Sequence, residues 1–557
     1  MAELVKRMVK TEESRALKAA AGIKELTPLL CILAVALAMR LWGITWGLPS
    51  PTHFWSYHPD ESRVMIVILG LDWLHGQILP HFYNYGSLQI YLISLAQTGA
   101  YLTGNADLVQ AHLQHSPEKF AQLFMIGRML SVLMGAGTVW TTYAIGRRLW
   151  SAQAGLVAAT LLAIAPLHAQ HSHWMTVDVP ATFWASLSFL WSVRLANGDE
   201  KPVLAAIAAG VFAGLATATK YNLALMVLPL LVAVIARFRA TPPKLAVHAL
   251  AGIAAMALAF LIACPGSILE HGQFLSDLQT ELTHVGKQGG DTFAGTGNGF
   301  LFQLKTNLLY GLGGMIFACS IAGMMRAVFR PGRGDLLIAS FVVPYFVLIS
   351  LPEVRYARYV MPLLPFLTLW LGRAFSESYG ASNVALRKIV VAASTIVVPM
   401  SLVICGLTIA PMAGVDSRDR ALQEIETRHL SGPTAFAAMP WFQTPPLDQQ
   451  FANPMRGGWR RTAGETPQIA SPFLYADKDW DMGVLDAHPN MVVLSEYDYR
   501  DPLRLNKPAA KAWLDRLQSE YTPAAVFGDD KTPALTVNPL PYDMMYSDLK
   551  TWVWVKK

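Results

Sequence analysis

The chain has 557 residues, of which 53% are hydrophobic and only 15% are charged. Soluble domains are about 25% charged, so this composition excludes an ordinary soluble protein and indicates a polytopic membrane protein. The net charge of +6 does not indicate nucleic-acid binding, because the basic residues cluster in short loops between apolar segments. The cysteines have no spacing that predicts a metal site or a disulfide framework. They are Cys31, Cys264, Cys319 and Cys405.

The N-terminal segment carries a long basic stretch that runs into an apolar segment of spanning length. This pattern differs from a cleavable signal peptide, whose basic and apolar regions are both short. We therefore expect residues 1–26 to form a cytoplasmic N-terminus.

Twelve apolar segments are candidates for membrane spans, since a transmembrane helix needs about 20 mostly apolar residues. They lie near 27–47, 86–104, 120–147, 152–167, 178–195, 202–219, 221–237, 245–264, 304–328, 335–351, 357–374 and 388–411. The basic loops alternate correctly from residue 120 onward, but not if segment 86–104 also crosses the membrane. That segment carries Gln89 and Gln97, so we predict an interfacial helix there. The prediction is a mainly α-helical transmembrane domain over residues 27–411, with about eleven spans plus interfacial helices.

The same topology places several loops and the C-terminal part of the chain on the external side. The loops lie near 48–119, 168–177, 265–303 and 352–358. Residues 413–557 are polar and contain no span, so we predict a small external α/β domain. Its expected elements are a helix from Asp416 or Ser417 to about Arg428, a buried strand at 491–494, an amphipathic helix at 507–520 and a closing strand at 552–555.

Two adjacent carboxylates, Asp60 and Glu61, follow Pro59 in the first external loop. Proline disfavours helix at the residue before it, so a helix is expected to start at Asp60 and run toward Leu74. One interpretation is that Asp60 only caps this helix, because Asp is a preferred capping residue. The alternative is that Asp60 is a general base at the mouth of a membrane-embedded cavity.

Further polar residues collect on the external side, which predicts a site at the membrane face, because charges inside the bilayer are costly. They are His58, Tyr85, Arg128, His171, His173, Asp178, Lys220, Tyr221, Arg355 and Arg358. The arginines could instead extend toward lipid headgroups. His171, His173 and Asp178 supply enough ligands for a divalent metal, but their spacing is only a weak zinc signal. We assign no metal ligands and leave a divalent metal cofactor open.

Several short motifs follow one another along the predicted membrane domain. They are Asp60-Glu61, Tyr85-Gly86-Ser87-Leu88, Arg128 before Gly146-Arg147-Arg148-Leu149-Trp150, Ser172-His173 with Asp178, and Arg355-Tyr356 before Arg358-Tyr359-Val360-Met361-Pro362-Leu363-Leu364-Pro365. This order resembles the polytopic GT-C glycosyltransferases. The branch it resembles contains the dolichyl-phosphate-mannose protein mannosyltransferases and the lipid A aminoarabinose transferases (glycosyltransferase family 39-like). The resemblance covers residues 27–411. Two departures leave the acceptor open: no large domain is inserted at 265–303, and His173 stands where the mannosyltransferases usually have Arg.

The resemblance implies a glycosyltransferase that moves a sugar from a polyprenyl-phosphate-linked donor to an acceptor hydroxyl, with inversion. Asp60 would be the general base, and Glu61 would orient it or bind the sugar. The donor phosphate would be bound by Arg128, Lys220, Arg355 and Arg358. The sugar or acceptor would be bound by His58, Tyr85, His171, His173, Asp178 and Tyr221.

The resemblance also implies where the chain works and with what. The expected partners are the lipid-linked donor, membrane lipids and an acceptor that is a protein, a lipid or a glycan. The expected location is a prokaryotic inner or plasma membrane, with the site and the C-terminal domain on the periplasmic or extracellular side.

Two other classes of function predict different sequence features. A transporter or flippase for a lipid-linked sugar predicts polar residues near the bilayer midplane and paired broken helices. Here the spans are nearly free of charge at their centres, and the polar residues lie at one face. A membrane anchor for the C-terminal domain needs only one span, so the many spans argue against that function.

Overall fold

The structure is a computed structural model that describes residues 26–106, 116–287, 290–447, 473–476, 478–528, 540–547 and 549–557. Nearly all of the segment expected to be a cytoplasmic N-terminus, residues 1–26, lies outside these residues. Part of the expected first external loop, residues 107–115, also lies outside them.

The membrane domain is built almost entirely of helices. Its main helices are α1 Leu26–Leu41, α2 Pro59–Leu69, α3 Leu88–Leu102, α4 Pro117–Leu149, α5 Ala152–Ala163, α6 Pro166–His171, α7 Asp178–Asn197, α8 Pro202–Thr219, α9 Val227–Phe238, α10 Pro242–Ala263, α11 His271–Lys287, α12 Gly314–Phe329, α13 Arg333–Ser350, α14 Leu364–Tyr379 and α15 Val384–Ile409. Single turns and short 3₁₀ or π segments connect them at Tyr221–Met226, Gly266–Leu269, Gly290–Phe293, Gly299–Phe302, Gln303–Leu308, Leu309–Leu312, Ala357–Leu363 and Ala410–Ala413.

The helices support a membrane-spanning domain without fixing the number of spans. Within the described residues, 6 helices are long and apolar enough to cross a membrane, or up to 7 if one bent pair counts as a single span. Others, such as α1 and α5, are apolar but shorter. The count of about eleven therefore stays a prediction. Helix α3 has 15 residues and is not counted among these helices, and its interfacial position stays a prediction.

The basic ends of neighbouring helices contact one another. Arg326 lies 2.6 Å from Glu377, and Arg373 pairs with both Glu377 and Asp335. Arg373 also lies over the ring of Trp150 at the end of α4. This clustering brings the loops that carry the positive-inside signal together at one face of the helix bundle.

Helices α8 and α10 pack closely because small residues face each other. A Cβ added to Gly210 would lie 2.1 Å from the carbonyl oxygen of Gly252, and one added to Gly214 would lie 2.3 Å from that of Met256. Gly210 and Gly214 form a G-x-x-x-G pattern, which permits this close backbone approach between membrane helices. The end of α8 carries Lys220, so the tight packing also fixes the position of that lysine.

The C-terminal domain is a mixed α/β domain, and its predicted elements are confirmed. Its helices are α16 Ser417–Thr427, α17 Glu496–Arg504 and α18 Pro508–Glu520, with short turns at Gly483–Asp486 and Tyr542–Met544. Its strands are β1 Thr434–Phe436, β2 Phe473–Leu474, β3 Met491–Ser495, β4 Tyr521–Phe527 and β5 Thr551–Lys556. The sheet order is β2-β1-β3-β5-β4, with β1 parallel to β2 and β3, and β5 antiparallel to β3 and β4. Asp416 caps α16 through the backbone N–H of Arg418.

Buried polar contacts fasten the C-terminal domain to the loop that follows α1. Arg418 is fully buried, pairs with Asp416 and lies 4.0 Å over the ring of Tyr57. The Trp46 Nε1–H donates to Asp416 at 2.8 Å, and the Tyr57 hydroxyl donates to Asp419 at 2.6 Å. Buried charges are stable only when paired and hydrogen-bonded, so these contacts fix how the two domains meet.

Candidate active site

Asp60 lies at the start of α2 with its side chain partly open. The helix begins at Pro59 rather than at Asp60, and it ends at Leu69. His58 occupies the N-cap position, so Asp60 is in the first turn and is not the cap. Its carboxylate is 23% exposed and lies 3.5 Å from Nη2 of Arg358. The capping interpretation therefore does not explain Asp60, and the side chain remains accessible for chemistry.

Glu61 occupies a different environment, although it is the next residue in the chain. It is fully buried, and its two oxygens accept from Nε and Nη2 of Arg128 at 2.8 and 2.6 Å. The Met175 N–H donates to it at 2.7 Å and the Ser56 hydroxyl at 2.6 Å. Burial alone would raise the pKa of Glu61, but the Arg128 guanidinium and these hydrogen bonds hold it below its ordinary value.

Arg128 is as buried as its partner. Its Nη1 donates to the carbonyl oxygens of Ile44 and Trp46 at 2.6 and 2.7 Å, while its other nitrogens bind Glu61. The guanidinium therefore links α4, α2 and the loop after α1. The structure does not bring Arg128 to an open surface where a donor phosphate could reach it.

Arg358 stands between two carboxylates at the start of the Ala357–Leu363 turn. Its Nη2 faces Asp60, and its Nη1 lies 3.8 Å from Asp543 of the C-terminal domain. The guanidinium stacks 4.1 Å from the ring of Tyr356. Its Nη1 is buried and has no hydrogen-bond partner among the described residues. Arg358 therefore has donor capacity that a bound anion could use.

Lys220 provides a second cation, and it shares a tyrosine ring with Arg358. Its ammonium lies 2.6 Å from Asp178 and 4.7 Å from the ring centroid of Tyr359. The same ring lies 5.9 Å from the guanidinium of Arg358. Lys220, Asp178 and Arg358 thus belong to one connected cluster.

Tyr85 and Tyr221 belong to the wall beside Asp60. The Tyr221 hydroxyl donates to the backbone oxygens of Tyr83 and Tyr85 at 2.9 and 3.0 Å. A Cβ on Gly86 would lie 1.9 Å from the carbonyl oxygen of Ala218, so only glycine lets this loop approach the end of α8. The negative charge of Asp60, together with burial, raises the pKa of Tyr85 well above its ordinary value.

His58 and His171 pack against an aromatic wall. Trp174 lies 4.3 Å from the ring of His58 and 4.7 Å from that of His171, and Tyr546 closes over His58 at 5.1 Å. Burial lowers the pKa of both histidines, so both are neutral at pH 7. Their ring nitrogens have no hydrogen-bond partner in the part of the chain that the structure describes.

His173 faces away from this cluster. Its Nδ1 lies 2.9 Å from the carbonyl oxygen of Ala169, and its Nε2 lies 2.9 Å from that of Trp42. Burial lowers its pKa from 6.5 to about 4. The structure therefore places His173 as a link between the loop 168–177 and the end of α1, away from the predicted sugar or acceptor.

The residues considered as metal ligands do not converge. His173 faces backbone carbonyl oxygens, and Asp178 is bound by Lys220. Among the described residues, no group of three or more His, Cys, Asp or Glu side chains is arranged to hold a metal ion.

Arg355 lies in a neighbouring cavity instead of beside Asp60. Its side chain donates to the backbone oxygens of Pro352 and Gly297 at 2.9 Å each. The cavity has a volume of about 450 Å³ and lies between the membrane domain and the C-terminal domain, with Arg500 and Asp543 also in its wall. It adjoins the Arg358 cluster, because Asp543 belongs to both.

Two residues of the site escaped sequence analysis, and both come from the C-terminal domain. Asp543 accepts the backbone N–H groups of Ala357 and Arg358 at 3.0 and 2.8 Å, and lies 4.0 Å from His171. Tyr546 covers His58. Neither lies in a sequence motif, so only the packing of the two domains identifies them.

The fold and one segment of the sequence match known glycosyltransferases. Residues 120–266 match the family described as dolichyl-phosphate-mannose-protein mannosyltransferase. ArnT from Cupriavidus metallidurans bound to undecaprenyl phosphate is similar in structure, with a TM-score of 0.50 and 14% identity over 95% of this chain and 98% of that chain. Apo ArnT gives a TM-score of 0.51 and 15% identity over 96% and 98%. This chain has a GT-C fold.

A second GT-C neighbour is the oligosaccharyltransferase of Archaeoglobus fulgidus, tethered to an acceptor peptide. It has a TM-score of 0.50 and 14% identity, over 94% of this chain and 76% of that chain. No curated protein sequence matches. The resemblance stated from the motifs is thus confirmed, and these matches indicate a membrane glycosyltransferase.

Proposed function

We propose that this GT-C protein transfers a sugar from a polyprenyl-phosphate-linked donor to an acceptor hydroxyl at the external membrane face. The observation that carries the proposal is the pairing of a partly open carboxylate, Asp60, with Arg358, a cation with an unfilled donor. Glycosyl transfer from a phosphate needs both, a base for the acceptor and a cation for the leaving group.

Arg358 and Lys220 are the proposed ligands of the donor phosphate. Both lie beside Tyr359, each close enough to its ring for a cation–π contact. The 3.5 Å gap between Arg358 and Asp60 is longer than a good hydrogen bond, so a phosphate oxygen can displace the carboxylate. Arg128 is left out of this set because its guanidinium is fully occupied, and Arg355 because it faces the neighbouring cavity.

The reaction follows as a single displacement. The acceptor oxygen attacks the anomeric carbon while Asp60 takes the hydroxyl proton. The bond from the anomeric carbon to the phosphate oxygen breaks, and the polyprenyl phosphate leaves with its charge facing Arg358 and Lys220. One displacement predicts inversion at the anomeric carbon, as in one-step glycoside hydrolysis.

The remaining polar residues are assigned to sugar and acceptor. Tyr85, Asp178, His58 and His171 surround the cluster and offer hydroxyl, carboxylate and imidazole groups to sugar hydroxyls. The cavity is assigned to the acceptor, because Asp543 and Tyr356 in its wall also lie beside Arg358, whose Nη2 is 3.5 Å from Asp60. A protein hydroxyl, a lipid, a glycan and a cell-wall polymer all fit this role.

The proposed location is the periplasmic or extracellular face of a prokaryotic membrane. The basic helix ends contact one another, and the positive-inside rule puts such basic ends on the cytoplasmic side. The comparisons give no support to a flippase. The polar cluster lies in loops and at helix ends, which is where a reaction at the membrane surface would take place.

The test is a binding and turnover assay in detergent with Asp60→Asn and Arg358→Gln. Wild type is expected to bind undecaprenyl phosphate and to release sugar from a matching donor. Asp60→Asn should keep binding and lose release, whereas Arg358→Gln should bind undecaprenyl phosphate more weakly, with Lys220 as the remaining proposed ligand. Undiminished sugar release by Asp60→Asn would remove the base from the proposal.

A further inference from the structure

Asp543 is a buried carboxylate of the C-terminal domain that accepts hydrogen bonds from the membrane domain. It lies in the Tyr542–Met544 turn of the C-terminal domain and is 0% exposed. Burying a carboxylate is costly unless it is hydrogen-bonded, so its partners reveal what it is used for.

Its partners are the first two N–H groups of the Ala357–Leu363 turn. Asp543 Oδ1 accepts from Ala357 at 3.0 Å, and Oδ2 accepts from Arg358 at 2.8 Å. Helical turns leave their first N–H groups unpaired, and a side chain at the N-cap normally takes one of them. Among the described residues, the N-cap of this turn, Tyr356, makes no such bond. Asp543 thus caps the turn from another domain.

Other contacts hold Asp543 in place. Gln170 donates to the Met544 backbone oxygen at 3.0 Å and to the Ser547 hydroxyl at 3.2 Å. Arg418 donates to the Tyr546 backbone oxygen at 2.9 Å. The residues that directly follow Asp543 are therefore held by both domains, by Gln170 of the membrane domain and by Arg418 of the C-terminal domain.

The cap fixes the residue that carries the phosphate-binding guanidinium. Arg358 makes no short side-chain hydrogen bond to Asp60 or Asp543, whose oxygens lie 3.5 and 3.8 Å away. Its backbone is instead held by Asp543, and its guanidinium rests on Tyr356. The arrangement sets the direction of the side chain and leaves its donors available.

We propose that Asp543 is a positioning residue for Arg358, so that the C-terminal domain completes the active site. This inference rests on the proposed function, in which Arg358 binds the donor phosphate. A different role would be that of a counter-charge that weakens the pull of Arg358 on phosphate. The two roles predict opposite signs, because loss of a positioning residue weakens phosphate binding, whereas loss of a counter-charge strengthens it.

The experiment measures binding of undecaprenyl phosphate to purified full-length protein in detergent. Asp543→Asn keeps the size of the side chain and removes its charge. Binding is expected to weaken about tenfold, the effect of losing one charge-assisted hydrogen bond. The matched control is Asp419→Asn, another C-terminal-domain carboxylate that bonds the membrane domain, at Tyr57, without touching Arg358. This control is expected to bind as wild type does.

A double-mutant cycle separates positioning from general damage to the fold. In an Arg358→Gln background, Asp543→Asn should cause no further loss, because the residue acts through Arg358. An equal loss in both backgrounds would overturn the proposal. So would unchanged or tighter binding by Asp543→Asn when Arg358→Gln alone weakens binding.

Two further outcomes decide whether the proposal stands. If Asp543→Asn does not fold, Gln170→Ala replaces it, since it loosens segment 540–547 and keeps the carboxylate. Weaker binding by Gln170→Ala, absent in the Arg358→Gln background, supports the proposal, and unchanged binding overturns it. If wild type does not bind undecaprenyl phosphate, or Arg358→Gln does not weaken binding, the proposed donor role is wrong and the role of Asp543 fails with it.

Discussion

Replacing Glu61 by Gln tests whether the two adjacent carboxylates have separate tasks. Glu61 accepts four hydrogen bonds, two of them from Arg128, and both members of this ion pair are fully buried. Glutamine has the same shape, but it leaves the guanidinium without a counter-charge and turns an amide toward it. Breaking one side of a buried pair costs about 3–5 kcal/mol. We expect Glu61→Gln to lower thermal stability strongly.

The assay compares melting curves of purified protein in detergent. Asp60→Asn serves as the matched control, because Asp60 is partly exposed and lies 3.5 Å from Arg358, which keeps Asp543 as a second counter-charge. Its melting temperature should stay close to that of wild type while sugar transfer is lost. A Glu61→Gln protein as stable as wild type, or an Asp60→Asn protein equally destabilised, would refute the division of roles.

The same pair predicts how stability depends on pH. The pKa of Glu61 is lowered in the folded protein, so its contribution is present above the unfolded pKa. That contribution is lost as the pH falls through the folded value. Glu61→Gln has no such group, and its stability loss relative to wild type should shrink in acid, which melting curves at pH 7 and below pH about 4 would show.

Three further predictions concern other parts of the molecule. Lys220→Gln should lower transfer at least about tenfold, because it removes a proposed leaving-group cation. It should also lower the melting temperature, because it leaves the buried carboxylate of Asp178 without its ion-pair partner; unchanged transfer by the folded protein would remove Lys220 from the site. Gly210→Leu should destabilise the protein by about 1–3 kcal/mol or prevent its folding, because a Cβ there already meets the Gly252 backbone at 2.1 Å; a wild-type melting curve would contradict this packing. His173 is held neutral in the folded protein, so its contribution to stability should fall as the pH drops from 6.5 toward about 4. His173→Gln should flatten that part of the stability profile. An unchanged profile would speak against a pKa of His173 lowered by burial.

Much of the fold could be predicted because its signals are local. Apolar length and the alternation of basic loops predicted a helical membrane domain, and Gln89 and Gln97 in segment 86–104 predicted that this segment does not cross. Both glutamines are buried within the protein, and whether this helix crosses the membrane stays a prediction. In the C-terminal domain, the apolar run at 491–494 predicted a strand that the structure confirms. Each of these signals needs only a few neighbouring residues.

The roles within the site could not be predicted in the same way. Successive residues of a helix point about 100° apart, so Asp60 and Glu61 meet different surroundings although they are adjacent. The partner of Glu61 is Arg128, 67 residues further along the chain. Arg128, Arg355 and Arg358 carry the same side chain, and only their burial and their partners in the fold distinguish their roles.

Asp543 shows the limit most clearly. It bonds a turn that lies 185 residues earlier, and it stands in a stretch without motif or periodicity. The sequence indicated a C-terminal domain outside the membrane, but it gave no reason to place one of its carboxylates against Arg358. Such a contact depends on how two domains pack, which no short segment encodes.

The most direct test of the proposed function follows sugar release from a panel of radiolabelled polyprenyl-phosphate sugars. Purified wild type and Asp60→Asn would be compared in detergent, with crude membranes as the source of acceptor. We expect release from at least one donor by wild type and none by Asp60→Asn, although both bind undecaprenyl phosphate. Equal release by the two proteins, or tight donor binding with no release in any acceptor mixture, would contradict a glycosyltransferase that uses Asp60 as its base.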